Sequence, residues 1–227
     1  MTGRSLSRSV EDYLKAIYGL SDGGEPASTS AIAEALDIQP ASVTGMVKRM
    51  AESGLLEHVP YKGVRLTEGG TREALRVVRR HRILETYLCE RLGFSWDDVH
   101  DEAERLEHAA SDRLIDQMAR ALGSPSHDPH GAPIPTRTGD IEATDVATLA
   151  DAQPGDRVRI RAVRDEDAAG LRSMAAEGLV PGARMTIREG ATGSVDIELA
   201  SEKPRIRSID RELARHVFVV PDLGEAG

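Results

Sequence analysis

The stretch from Asp37 to Leu66, D-I-Q-P-A-S-V-T-G-M-V-K-R-M-A-E-S-G-L-L-E-H-V-P-Y-K-G-V-R-L, decides how this chain begins to fold. Asp37 to Pro40 reads as a short turn, and Pro40 suits the first turn of a helix, where a missing N–H costs nothing. That helix runs to about Ser53 and ends at Gly54. Two short apolar-alternating runs then flank Tyr61-Lys62-Gly63, the pattern of a β-hairpin. Working backwards, Ser28-Thr29-Ser30 caps a helix through Ala31, Ile32, Ala35 and Leu36. Before it, Val10, Leu14, Ile17, Tyr18 and Leu20 keep helical spacing from an N-cap at Ser9.

Three helices, a tight turn before the third, and a hairpin behind it describe a winged helix-turn-helix, assigned to residues 1–70. In such a unit the third helix enters the major groove by its N-terminal residues. The candidate DNA contacts are Gln39, Ala41, Ser42, Thr44 and Gly45 at the helix start, with Lys48 and Arg49 on phosphates. Tyr61, Lys62 and Arg65 would serve the wing. Three core helices with a decorative hairpin would satisfy the same hydrophobic pattern. The Thr, Ser, Gln, Lys and Arg content of the outward positions favours DNA. Ser and Thr read bases weakly, so DNA shape should share the specificity.

The net charge of −9 over 227 residues argues against nucleic acid only until it is divided. Residues 1–82 carry 12 Lys/Arg against 10 Asp/Glu, residues 83–140 carry 5 against 12, and residues 141–227 carry 12 against 16. The first segment alone can face phosphate, and the acidic excess concentrates in the second. No apolar run is long enough for a membrane span, and M-T-G-R-S-L-S-R-S-V lacks a signal-peptide core, so a cytoplasmic protein with no membrane partner is expected. The single cysteine, Cys89, has no internal disulfide partner and reads as a small buried hydrophobe.

A long helix is expected from Glu68 to Leu92, with Arg72, Arg76, Arg79, Arg80 and Arg82 on its outer turns, and a second from Trp96 to Leu122. Within the second, V-H-D-E-A-E-R-L-E-H places His100, Glu104, Glu107 and His108 at offsets 0, 4, 7 and 8. One arc of a helix would then hold two imidazoles and two carboxylates. His81 and Glu85 lie one turn apart on the preceding helix, so six nitrogen and oxygen donors could meet around a divalent cation. A solvated face with weak ion pairs is the plain alternative. Against it, the carboxylates are like-charged neighbours beside the apolar stripe Val99, Ala103, Leu106, Ala110 and Leu114, an arrangement that costs stability without a cation.

Residues 71–140 are therefore assigned to a helical metal-binding and dimerisation domain. D-P-H-G-A-P-I-P, from Asp128 to Pro135, breaks the helical pattern and with the polar stretch to Asp145 reads as a linker, His127 and His130 being loop residues. From Ala147 the pattern turns to short strands, V-R-I-R-A-V, R-M-T-I-R-E, S-V-D-I-E-L, R-I-R-S-I and H-V-F-V-V, with a short helix from Ala168 to Glu177. That is a small SH3-type β-barrel over residues 141–227. The fold class is thus mainly α with a β C-terminal part.

These residues resemble the diphtheria toxin repressor family of metal-dependent transcription regulators, and within it the manganese-responsive branch. The resemblance rests on E-D-Y-L-K-A-I-Y, the winged helix ending G-L-L-E-H, R-R-H-R-I-L-E, V-H-D-E-A-E-R-L-E-H and D-P-H-G-A-P-I-P. It continues in G-D-R-V-R-I and L-R-S-M-A-A-E-G-L-V-P-G-A, similar to the family's SH3-like, iron-transport-protein-A-like domain. It implies a primary metal site of Asp12, Glu104, Glu107 and His108 and an ancillary site of His81, Glu85 and His100. Asp167, in Asp165-Glu166-Asp167, is the candidate ligand from the third domain. Positions matching Asp12 and Glu104 carry methionine and cysteine in iron-responsive members. Carboxylates there suit Mn²⁺, with Fe²⁺ as the next choice and Zn²⁺, Co²⁺ or Cd²⁺ as surrogates. Lys15 stands where some two-domain manganese regulators have a glutamate that helps bind a paired second ion.

The expectation that follows is a repressor, not an enzyme, that binds operator DNA as a homodimer when metal-loaded and controls metal-uptake genes. An iron-responsive repressor is the alternative within the family. Outside it stand a di-metal hydrolase, which lacks a nucleophile motif or a phosphate-cradling loop here, and a DNA-binding module whose metal is purely structural.

Overall fold

The computed structural model describes residues 6–21, 25–142, 146–164, 168–200 and 205–223, so the candidate ligand Asp167 lies outside the described residues. The chain divides into two compact units. One holds residues 1–81, 107–110 and 135–141; the other holds 82–106, 111–134 and 142–227.

In the first unit α1 (Arg8–Leu20) buries Tyr13, Leu14 and Ile17. Its N-cap is Ser7 and not Ser9, because the extended Ser7 already offers its carbonyl to the N–H groups of Val10 and Glu11. Helix α2 (Thr29–Ala35) starts as expected, the Ser28 hydroxyl accepting from Ala31 N at 3.1 Å. Helix α3 (Pro40–Glu52) turns Val43, Val47 and Met50 inward and ends at Gly54, φ +76°. Strands β1 (Leu56–Val59) and β2 (Gly63–Leu66) pair antiparallel, and Ala27 bonds across to Val64. Gly63 is required there: its φ is +126°, and a Cβ would fall 2.1 Å from the Ala27 carbonyl oxygen. The winged helix-turn-helix is present, closed over a core that includes Leu14, Ile17, Ile32 and Met50.

Helix α4 (Glu68–Leu92) has the predicted bounds, its residues from 82 onward belonging to the second unit. The expectation that its five arginines lie on outer turns holds for two of them. Arg72 and Arg76 are exposed and pair with Glu68 and Glu73. Arg79 and Arg80 are half-buried, Arg79 donating to the Pro135 carbonyl at 2.9 Å. Arg82 donates to the Pro133 carbonyl at 2.5 Å and lies 3.3 Å from Asp128.

The single helix expected from Trp96 to Leu122 is instead two, α5 (Val99–Leu106) and α6 (Asp112–Ala121). Ser111 breaks it: its extended backbone and a hydroxyl accepting from Leu114 N start a new helix, with Asp112 favourable in the first turn. Glu107 and His108 therefore sit in a turn and not on one helical face with His100 and Glu104.

The stretch Asp128 to Pro135 is not a solvated linker. Asp128, His130, Gly131, Pro133, Ile134 and Pro135 are buried, and His130 O accepts from Val163 N at 2.9 Å. Polar punctuation marks the end of a helix, but it does not reveal that a loop packs under a sheet.

The strands of the second unit form one antiparallel sheet in the order β3-β8-β4-β5-β6-β7. These are β3 (Ala147–Thr148), β4 (Arg157–Val163), β5 (Arg184–Arg188), β6 (Ser194–Leu199), β7 (Ile206–Asp210) and β8 (Val217–Pro221). Helix α7 (Ala168–Ala176) is the predicted one; β3 and the four-residue α8 (Arg211–Ala214) are too short for a periodic signal. Leu149, Ile160, Leu171, Met174, Leu179, Ile187 and Ile197 fill the core. Among the described residues no helix is long and apolar enough to cross a membrane.

Candidate metal centres and nucleic-acid interface

One donor cluster lies within the first unit, where Asp12, Glu107 and His108 bring one ligand atom each within 4.8 Å of the others. Helix α1 presents Asp12 beside the buried face that carries Leu14 and Ile17, and the turn after α5 presents Glu107 and His108. Glu11, which sequence reasoning passed over, organises the site. One of its oxygens accepts from Arg80 at 2.7 Å and the other lies 2.7 Å from His108 Nδ1. A carboxylate can only accept, so Nδ1 carries the proton and Nε2 presents its lone pair inward.

That Nε2 lies 2.8 Å from Asp12 Oδ1 and 3.4 Å from Glu107 Oε1. Among the described residues, neither His108 Nε2 nor Glu107 Oε1, both buried, has a hydrogen-bond partner. Facing acceptors at these distances repel unless a cation lies among them, and a nitrogen with two carboxylate oxygens is a donor set for a hard to borderline divalent ion. The other oxygen of Glu107 lies 2.7 Å from His81 Nδ1 and 2.9 Å from the Lys15 ammonium. Burial pushes the Glu107 carboxyl upward, but the His81 hydrogen bond and the Lys15 and His81 charges outweigh it and hold the group below the ordinary carboxylate range.

A second cluster lies within the second unit, formed by Glu85, Asp128 and His130, all buried. His130 Nε2 donates to the Trp96 carbonyl at 2.7 Å, leaving Nδ1 toward Glu85 Oε2 at 3.6 Å. A ring N–H given to a backbone carbonyl is the usual orientation of a metal-ligating histidine. Asp128 Oδ1 accepts from the backbone N–H groups of His130 and Ala132, both at 2.9 Å, so one short turn positions both ligands. His100 Nδ1 lies 3.3 Å from Glu85 Oε1, and its Nε2 lies 3.7 Å from Glu104.

Within the first unit Asp12, Glu107 and His108 lie together, with His81 against Glu107; within the second, Glu104 lies beside His100. Glu85 and His100 stay together, and Asp128 and His130 join Glu85. The available signal for the latter pair was D-P-H-G itself, a histidine two residues from an aspartate at a forced turn. Cys89 is half-buried; burial, then Glu85, Asp128 and Glu90, push its thiol up to about 11. It is an inert thiol at neutral pH.

The candidate DNA surface lies on the first unit. Gln39, Ala41, Ser42, Thr44, Gly45, Lys48 and Arg49 are all exposed on and before α3. Lys62 and Arg65 are exposed on the wing, and Tyr61 at its tip is fully open to solvent, with φ +63°.

Residues 5–64 match the model of the iron dependent repressor N-terminal DNA binding domain, and residues 67–136 that of the iron dependent repressor metal binding and dimerisation domain. The iron-dependent repressor IdeR of Mycobacterium leprae is 32% identical over 206 residues, covering 85% of this chain and 89% of that protein. The chain belongs to the iron-dependent, or diphtheria toxin, repressor family. Its third part, residues 147–221, matches the FeoA domain, so this family member pairs a winged helix with a metal-binding, dimerising helical domain and a FeoA sheet. Members of the family are DNA-binding, metal-dependent transcriptional repressors and not enzymes. The HTH-type transcriptional regulator MntR of Oceanobacillus iheyensis is 40% identical over 110 residues, 48% of this chain and 74% of that protein. A solved manganese-dependent transcriptional repressor in complex with manganese aligns with a TM-score of 0.86 at 34% identity, over 93% of this chain and 99% of that one.

Proposed function

We propose that this repressor responds to Mn²⁺ and binds operator DNA as a homodimer, repressing metal-uptake genes when the metal is replete. The observation that carries the reading is the cluster of Asp12, Glu107 and His108, all oxygen and nitrogen donors, with the histidine lone pair set by Glu11. Among the described residues no cysteine joins either cluster, and Cys89 keeps its proton, so the donors suit a hard ion over a soft one. The solved relative's complex with manganese supports the same choice. The likeness to an iron-dependent repressor along most of the chain makes Fe²⁺ the second reading.

We assign Asp12, Glu107 and His108 to a first site, with His81 behind Glu107, and Glu85, Asp128 and His130 to a second, with His100 beside Glu85. A bound dication supplies charge neutralisation and fixed bond directions. The chain's own residues do the rest. Asp12 stands on α1, whose buried face packs the helix-turn-helix core, while Glu107 and His108 come from a turn some ninety residues later in the chain. Drawing these side chains together tethers α1 and biases the orientations open to α3. Arg80 holds Glu11, and Glu11 holds the His108 tautomer, so the ligands are pre-oriented and little ordering entropy remains to be lost. A coupling of about 1–3 kcal/mol per site would change DNA affinity by roughly 5- to 150-fold.

Fluorescence anisotropy on the protein's own promoter DNA at fixed salt tests this, with Mn²⁺, anaerobic Fe²⁺, Zn²⁺ or chelator. The expected result is tight binding with Mn²⁺ that is lost in Asp12→Ala. Equal binding with chelator would overturn metal activation, and tight binding with Fe²⁺ alone would replace manganese by iron.

A further inference from the structure

The outer face of the FeoA sheet sets arginine against arginine. In β4 and β5 the side chains of Val158, Ile160, Met185 and Ile187 fill the core, so strand alternation puts Arg157, Arg159, Arg184 and Thr186 on the opposite face. The register sets Arg159 directly across from Arg184 and Arg157 directly across from Thr186. Directly opposed residues hold their Cβ atoms about 5 Å apart, and like charges so placed repel. Both strands are interior to the sheet, so these charges do not guard an edge. Elsewhere the same face is neutralised: Arg188 donates to Glu198 at 2.6 Å, and Arg161 lies 3.2 Å from Glu142. In the middle, Asp222 lies 3.8 Å from Arg184, but among the described residues neither Arg157 nor Arg159, both exposed, has an ion pair.

We propose that Arg157, Arg159 and Arg184 form a second DNA-contacting face, one that holds phosphates of the operator duplex in addition to those met by the winged helix. The inference rests on the operator-binding reading above. Arginine stems could simply cover apolar surface, since Val220 is the partner of Arg159 on β8. Glutamine would cover it equally well, without the repulsion. The planar guanidinium is the side chain that takes a phosphate through two parallel bonds, and 11 of the 12 Lys/Arg in residues 141–227 are arginine. The fourth corner of the patch is Thr186, a hydroxyl that suits a phosphate oxygen, where a protein partner would call for an aromatic or apolar anchor. A DNA duplex carries one negative charge for about every 1.7 Å of its axis, and its phosphates would relieve the opposed arginines. Such contacts add affinity and salt dependence but read no sequence.

The test is fluorescence anisotropy of the full-length protein across a salt series, with the metal that gives the tightest binding, on its own promoter duplex and on a scrambled duplex of equal length. Arg157→Gln/Arg159→Gln should lower the slope of log affinity against log salt by about 2, and weaken both duplexes by the same factor, on the order of tenfold at 0.1 M salt. Arg157→Lys/Arg159→Lys should keep the slope. Arg188→Gln, on the same face but already neutralised by Glu198, should leave it unchanged. Because Arg159→Gln removes a like-charge opposition, its urea midpoint at low salt should be no lower than that of wild type. An unchanged slope in the double glutamine variant overturns the proposal and leaves an acidic protein surface as the partner to try. A slope that falls equally in Arg188→Gln overturns it too, since the effect would then be one of net charge. A lowered urea midpoint assigns the arginines to the fold instead. If wild type binds its promoter with no metal offered, the operator-binding reading itself has failed.

Discussion

Replacing Gly131 by alanine should cost more than its backbone angle explains, because this residue carries the His130 turn against the sheet. Gly131 has φ +85°, and an added Cβ would lie 2.2 Å from the Arg161 carbonyl oxygen and 2.9 Å from Ala162 Cα. The left-handed angle alone costs an L-residue roughly 1–2 kcal/mol. The contact must also open by about 1 Å to reach van der Waals distance, which breaks the 2.9 Å bond from Val163 N to His130 O and forfeits about 0.5–1.5 kcal/mol more. The expected loss is about 1.5–3.5 kcal/mol, within the range of strained backbone substitutions. Gly123→Ala is the control. Its φ of +80° is nearly the same, but among the described residues nothing lies within 4 Å of its Cβ position, so it should cost only the roughly 1–2 kcal/mol of the angle itself. The chain's single tryptophan, Trp96, has its ring 5.6 Å from that of His130, so urea unfolding followed by its fluorescence reads this region. Gly131→Ala should also weaken divalent-metal binding at the proposed second site, since His130 and Asp128 belong to the same turn. Equal losses in the two variants, within about 0.5 kcal/mol, would refute the argument that a docked loop and not a conformational angle holds the turn.

Arg80→Met leaves the Glu11 carboxylate buried beside His108 without its guanidinium, and metal-free stability should fall by about 3 kcal/mol in thermal or urea unfolding. Cys89, raised from 9.0 to about 11, should form about 100-fold less thiolate at pH 8 than an ordinary cysteine. Its iodoacetamide alkylation should be correspondingly slow and climb steeply only toward pH 11; fast modification at pH 8 would contradict this. Tyr61→Gly, at an exposed tip with positive φ, should change stability by less than about 0.5 kcal/mol while reducing DNA affinity severalfold, a split visible by pairing unfolding curves with anisotropy. Lys48→Ala should lower the slope of log affinity against log salt by about 1 without changing sequence preference, and an unchanged slope would remove Lys48 from the phosphate contacts.

The winged helix was legible because each of its signals is local. Ser28 reaches a backbone N–H three residues on, Pro40 fits a first turn, and Val43, Val47 and Met50 recur on one helical face. The sheet was legible for the same reason, through alternation within Val158 to Val163 and Val217 to Val220. Reading one long helix from Trp96 to Leu122 failed because apolar spacing continues across Ser111, while the cap that restarts the helix is a single hydroxyl bond.

The sequence by itself determined which side chains could hold a cation, since carboxylates and imidazoles at turn spacing are a matter of composition and order. Only the tertiary structure decided how they are shared out. Glu107 takes His81 on one oxygen and faces His108 and Asp12 with the other, Glu85 gains Asp128 and His130, Glu11 sets a tautomer, and Lys15 brings a positive charge inside. The physical reason is that ligation depends on atoms meeting within a few ångströms in three dimensions. A buried loop and a turn between two helices brought these atoms together, and neither has a period that a sequence pattern can carry.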